Sequence, residues 1–260
     1  MSILHRLLAH PLTRNLDLDT PETSALRRRI IQEKPFLKRI YLDWYTILLE
    51  ALPQNDHHSI LELGSGGGFF DTLKPNIITS DLLPMPHLKA VLDGHKLPFA
   101  PASLDGIVMI NVLHHLPDAR SSFREASRCV RRDGIIAMVE PWITPWSYQI
   151  YNRLHHEPID TQAETWEFDQ HGPLSDANGA LPWIIFQRDR SIFESEFPEW
   201  HIVEIQPFMP FRYLVSGGVS MRSLMPVMGY PVWKAVESLL TPWMDFWGMF
   251  AHIVLSRTQS

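Results

Sequence analysis

The run Ile60-Leu61-Glu62-Leu63-Gly64-Ser65-Gly66-Gly67-Gly68-Phe69-Phe70 constrains this chain more than any other stretch. A short apolar segment with the pattern of a buried strand leads straight into a loop with glycine at three alternate positions. Glycines placed so remove Cβ atoms where a ligand must touch backbone. A ligand-free flexible loop is the plain alternative, and the strand in front argues against it. Two phosphate-binding readings lose ground on their details. A dinucleotide fingerprint needs a third glycine where Phe69 stands, and a Walker loop needs Gly-Lys-Ser/Thr, which is absent. A nicotinamide-dependent oxidoreductase is therefore the weaker alternative.

Around this loop, short apolar runs alternate with helix-like stretches. SILELG, NIITSD, DGIVMIN and GIIAMVEP each read as a buried strand ending in a polar or turn residue. Between the last two, DARSSFREASRCVRRDG reads as a helix with Asp118 at its N-cap and Gly134 as its stop. The alternation implies an α/β fold with a mostly parallel sheet and helices on both faces. The late segments His201–Pro207 and His252–Arg257 would add an antiparallel pair at the edge. Ligands of such sheets bind beyond the carboxyl ends of the strands, so Glu62, Asp81, Asn111 and Glu140 are expected along one edge. Residues 1–54 form a helical cover in this reading, with Ile30, Ile31, Phe36, Leu37, Ile40, Trp44 and Leu48 at three- and four-residue steps. Residues 55–142 form the core and 143–260 an insertion-rich carboxyl half, all within one domain.

The pattern E-x-G-x-G-x-G resembles the first motif of class I S-adenosylmethionine-dependent methyltransferases. The stretch VLDGHKLPFAPASLDGIVMINVLHHLPD resembles the middle of their type 11 subgroup, related to ubiquinone- and menaquinone-pathway enzymes. The resemblance implies a Rossmann-like fold with seven strands, an enzyme, and S-adenosyl-L-methionine as cofactor. It assigns Glu62, Gly64, Ser65, Gly66 and Gly68 to the cofactor loop and Asp81, with Leu82 beside it, to the ribose hydroxyls. It also brings the Asp93-Gly94-His95 turn to the adenine edge and Asn111 to the methionine end. One departure stands out: only Phe69 to Asn76 separates the glycine loop from the second strand, so the first crossover helix must be short.

Methyl transfer from a sulfonium requires a nucleophile held in line and water excluded; no side-chain type is obligatory. Where a base helps, histidine suits neutral pH. His114, in the His114-His115 pair after Asn111, is one candidate; packing at a helix start is the alternative. His156 and Glu157, in His155-His156-Glu157-Pro158-Ile159-Asp160, are candidates for the acceptor pocket, against a structural turn. No metal is expected among His155, His156, Glu157 and Asp160, because adjacent histidines point apart and no zinc spacing is met. A non-catalytic binding protein of the same fold stays as a rival.

Composition narrows the partners. Lys+Arg number 23 against 29 Asp+Glu, a net charge of −6, which argues against nucleic-acid binding through a broad basic face. The carboxyl half gathers Trp233, Trp243, Trp247, Phe246, Phe250, Met221, Met225, Met228, Met244 and Met249, which build core or wall an apolar, lipid-linked or aromatic small-molecule acceptor. Arg27, Arg28, Arg29, Lys34, Lys38 and Arg39 face only Glu33, the pattern of a solvated helix face or of peripheral contact with an anionic membrane surface. No uncharged run is long enough to span a bilayer, and the single cysteine, Cys129, excludes an internal disulfide, so a cytoplasmic location is expected.

Overall fold

The computed structural model describes residues 19–53, 59–154, 157–169, 171–172 and 176–258, together with His10 and Leu12. Two helices come first, α1 (Pro21–Glu33) and α2 (Pro35–Ala51). The Thr20 hydroxyl accepts the Thr23 N–H at 3.3 Å and caps α1, whose first position is Pro21. Pro35 ends α1, because a residue before proline is pushed out of the helical region. Lys34 is accordingly extended, at φ −102° and ψ 93°.

Seven strands follow: β1 (Ile60–Leu63), β2 (Ile78–Asp81), β3 (Ala90–Val91), β4 (Leu104–Ile110), β5 (Val130–Pro141), β6 (Trp200–Phe208) and β7 (Phe250–Arg257). They form one sheet in the order β3-β2-β1-β4-β5-β7-β6. All pairs through β5 are parallel, and β7 runs antiparallel between β5 and β6. The parallel part is what the alternating pattern implies, and the seven strands together make the Rossmann-like arrangement implied by the resemblance. The helices α3 (Ala119–Cys129), α4 (Pro145–Leu154), α5 (Arg190–Glu196) and α6 (Tyr230–Leu239) complete the main elements. The crossover between β1 and β2 is indeed short, a single 3₁₀ turn over Phe70–Thr72.

Period-two alternation along the strands sorts the core into two layers. Leu61, Leu63, Ile107, Met109, Ile136, Met138, Ile253 and Leu255 face α3 and α5 through Phe123, Ala126 and Phe193. Ile60, Val108, Ala137, Val139 and Val254 face the other way, onto Phe36, Leu37, Ile40, Trp44 and Leu48 of α2. Each such side chain contributes about 1.5–3 kcal/mol by leaving water, so the amino-terminal helices are held by the sheet itself. No helix among the described residues is long and apolar enough to cross a membrane.

Two sequence expectations need correction. The helix before β5 stops at Cys129, where Val130 already joins the sheet, so Gly134 lies inside β5. The basic cluster of α1 and α2 is also not a bare cationic face. Lys34 is buried, its Nζ donating to the carbonyls of Gly218 (2.5 Å) and Met221 (2.8 Å). Arg28 donates to the Gly68 carbonyl, Arg29 pairs with Glu33, and Lys38 and Arg39 lie over the rings of Phe69 and Tyr230.

Candidate cofactor and acceptor site

Backbone and carboxylates interlock at the carboxyl ends of β1 and β2. The Ser65 hydroxyl donates to Glu62 Oε2 at 2.6 Å and accepts the Ser80 N–H at 3.1 Å. The Gly66 N–H donates to Asp81 Oδ2 at 2.9 Å, and the Leu83 N–H donates to Oδ1 at 3.1 Å, while Leu82 between them is exposed. Gly66 has φ +49°, and a Cβ built there would meet nothing nearer than 3.9 Å, so the space beside it is open. Gly68 differs: its Cβ would lie 2.5 Å from the Tyr45 hydroxyl. Burial pushes the Glu62 carboxyl up to about 7 and raises Asp81 as well.

Asn111 follows β4 with φ 55°, an unusual value for a non-glycine residue. Its N–H donates to the Val139 carbonyl at 2.8 Å, and its Oδ1 is buried with no hydrogen-bond partner among the described residues. Such an orphan acceptor is costly unless something else occupies it. Asp93 accepts the His95 N–H at 2.9 Å and lies 2.6 Å from His95 Nδ1, closing the turn on itself. Gly94 in that turn lines an apolar cleft with Leu63, Leu97, Met109, Leu113 and Leu116.

A second set of polar groups gathers one turn beyond Asn111. Glu140, fully buried on β5, accepts the N–H groups of Val112 (2.7 Å) and Leu113 (2.8 Å), and its Oε2 lies 2.6 Å from His114 Nδ1. The other face of His114 meets Glu157, with Nε2 3.4 Å from Oε2. His115 Nε2 lies 3.7 Å from the other Glu157 oxygen, and His115 Nδ1 lies 3.0 Å from the Asp176 carbonyl. Burial opposes charge on His114, yet Glu140 and Glu157 outweigh it and push the imidazole up to about 9. Burial and the neighbouring His114 hold His115 down, at about 4. His114 thus bridges two carboxylates, with Nδ1 on Glu140 and Nε2 towards Glu157.

Of the acceptor-side candidates, the structure brings His114 and Glu157 together. His155 and His156 lie outside the described residues. Asp160 turns to its own loop, its Oδ1 accepting the Gln162 N–H at 2.9 Å, while the Asn178 N–H donates to the His114 carbonyl. The sequence reading overlooked the part played by Glu140 and Asp176. Only the paired histidines at a strand end could have hinted at it.

Residues 61–138, which carry the glycine loop, Asp81 and Asn111, match the family model of the methyltransferase domain. That match, over the cofactor-binding core alone, supports a class I S-adenosylmethionine-dependent methyltransferase domain. The same match supports S-adenosyl-L-methionine as the cofactor. Solved structures agree on the fold. A chain from the Haloferax volcanii complex between the Trm112 methyltransferase activator and a methyltransferase superposes with a TM-score of 0.57 at 13% identity, over 93% of this chain and 97% of that one. Geranyl diphosphate methyltransferase, in complex with GPP and sinefungin, gives 0.50 at 13% identity over 82% and 77%.

Proposed function

We propose that this enzyme methylates a small apolar acceptor, with the cofactor held between the glycine loop, Asp81 and Asn111. S-adenosylmethionine supplies an electrophilic methyl group on a sulfonium. The observation that carries the assignment of residues is the orphaned Oδ1 of Asn111, on the same sheet edge as the open space beside Gly66. The donor set fits the cofactor. The Asp81 carboxylate keeps lone pairs for ribose hydroxyls beside its two backbone bonds, Asn111 Oδ1 awaits a donor, and Glu62 is an acid whose ionised form a nearby cation would favour.

The apolar nature of the acceptor rests on a surface feature. Met228 (86%), Leu239 (76%), Val232 (65%), Trp243 (59%) and Leu224 (56%) stand exposed on α6 and its flanks, with Phe246 beside them. So many exposed apolar side chains within one segment support a docking surface there. A helix with this face lies in a membrane interface, giving the protein access to an acceptor dissolved there. Glu157, beyond the strand ends, is the group assigned to the acceptor, and Glu140 with His114 positions it.

Titration calorimetry with S-adenosylhomocysteine tests the assignment. One-to-one binding is expected, weakened about tenfold or more in Asn111→Ala and Asp81→Ala through loss of charged or buried hydrogen bonds. Unchanged affinity in both variants would move the cofactor elsewhere.

A further inference from the structure

The arrangement of His114, His115 and Glu157 has a second reading. Their ligand atoms, one from each residue, all lie within 4.8 Å of one another. Both imidazoles are anchored by the nitrogen that faces away from this meeting point, His114 Nδ1 on the Glu140 carboxylate and His115 Nδ1 on the Asp176 carbonyl. An N–H fixed on one side leaves the lone pair at Nε2, and both Nε2 atoms face Glu157, at 3.4 and 3.7 Å. Carboxylate or carbonyl acceptors behind the ring are what orients histidine for metal binding. The spacings are long for strong hydrogen bonds. They are close to the edge of a coordination tetrahedron, about 3.3 Å for metal–ligand bonds of about 2.0–2.1 Å.

We infer that His114, His115 and Glu157 form a binding site for a divalent transition metal of the zinc type, with a fourth position open to water or to an oxygen of the acceptor. Two imidazoles and one carboxylate are the donor set of open zinc sites. The sequence argument against a metal tested only the contiguous run His155 to Asp160. It could not see Glu157 pairing with histidines from the end of β4. The site names an acceptor feature that an apolar surface does not: a hydroxyl, carbonyl or carboxylate oxygen near the atom that receives the methyl group. That role rests on the methyl-transfer reading, whereas the metal site itself does not.

The test uses tag-free, chelator-stripped full-length protein titrated with Co2+, whose visible absorption reports a low-coordinate site, followed by displacement with Zn2+. One Co2+ per chain is expected, displaced by Zn2+. Glu157→Gln and His115→Ala should each weaken uptake about tenfold or more, and Glu140→Gln about tenfold through the ring it holds. His201→Ala, on exposed β6, should leave uptake unchanged. S-adenosylhomocysteine binding to the same samples shows that the variants are folded and separates the two readings. Cofactor binding without Co2+ uptake, or uptake equally strong in Glu157→Gln and His201→Ala, overturns the metal site alone; Co2+ uptake without cofactor binding supports it and overturns the cofactor assignment.

Discussion

The Gly66 N–H and Asp81 Oδ2 lie 2.9 Å apart, so the loop after β1 is tied directly to the last residue of β2. Gly66 holds φ +49° with open space beside its α-carbon, and a branched residue there would be strained and would fill that space. Gly66→Val is expected to lose S-adenosylhomocysteine binding by about a hundredfold or more, with a smaller loss of stability of about 1–2 kcal/mol. Calorimetry and thermal melting read the two effects separately; a variant that binds normally would separate the loop from the cofactor.

Glu62 predicts proton release. Its folded pKa of about 7 lies above the ordinary value of 4.5, so the folded chain holds this proton between those limits. The stability from burying the neutral form is complete below pH 4.5 and is lost as pH rises through 7, a change of about 3 kcal/mol at most. A cationic cofactor beside the carboxyl favours its ionised form. At pH 6.5, binding heats should therefore differ between buffers of unlike ionisation enthalpy, and Glu62→Gln should abolish the difference. Equal heats in the wild type would contradict this placement.

Lys34 works with the opposite sign. Burial lowers it from 10.5 to about 8, so between those values the unfolded chain binds more protons and stability rises with pH. The melting temperature should climb from pH 8 towards 10.5 apart from other titrations, and Lys34→Met should flatten that climb. The same substitution strands the carbonyls of Gly218 and Met221, costing about 1–3 kcal/mol at neutral pH. A flat profile in the wild type would show that Lys34 is solvated.

What could be read from sequence followed the range of the interactions. The strands β1, β2, β4 and β5 and the acid at Asp81 announce themselves through local periodicity and turn residues. The two-residue strand β3 has too little pattern to be seen, and the early start of β5 at Val130 is set by pairing with Leu104 on β4. The cations of α1 looked solvated because their partners, Gly68, Asp71, Gly218 and Met221, come from distant segments. Glu140 beneath His114, and Glu157 above it, meet only once the sheet has formed.

The exposed apolar face of α6 predicts membrane association that salt does not abolish, because its side chains there are uncharged. Flotation with liposomes should carry the wild-type protein at both low and high salt. A double change, Val232→Asp with Leu239→Asp, should leave it in the aqueous fraction with cofactor affinity intact. Equal flotation of wild type and variant would point the membrane contact elsewhere.

Methyl transfer itself is tested most directly by incubating the enzyme with methyl-labelled S-adenosylmethionine and fractionated lipid and small-molecule extracts, then following where the label goes. Label is expected in an apolar, organic-soluble product, formed together with S-adenosylhomocysteine and lost in Asp81→Ala. Tight cofactor binding with no label leaving S-adenosylmethionine in any fraction, or label appearing only in water-soluble products, would contradict it.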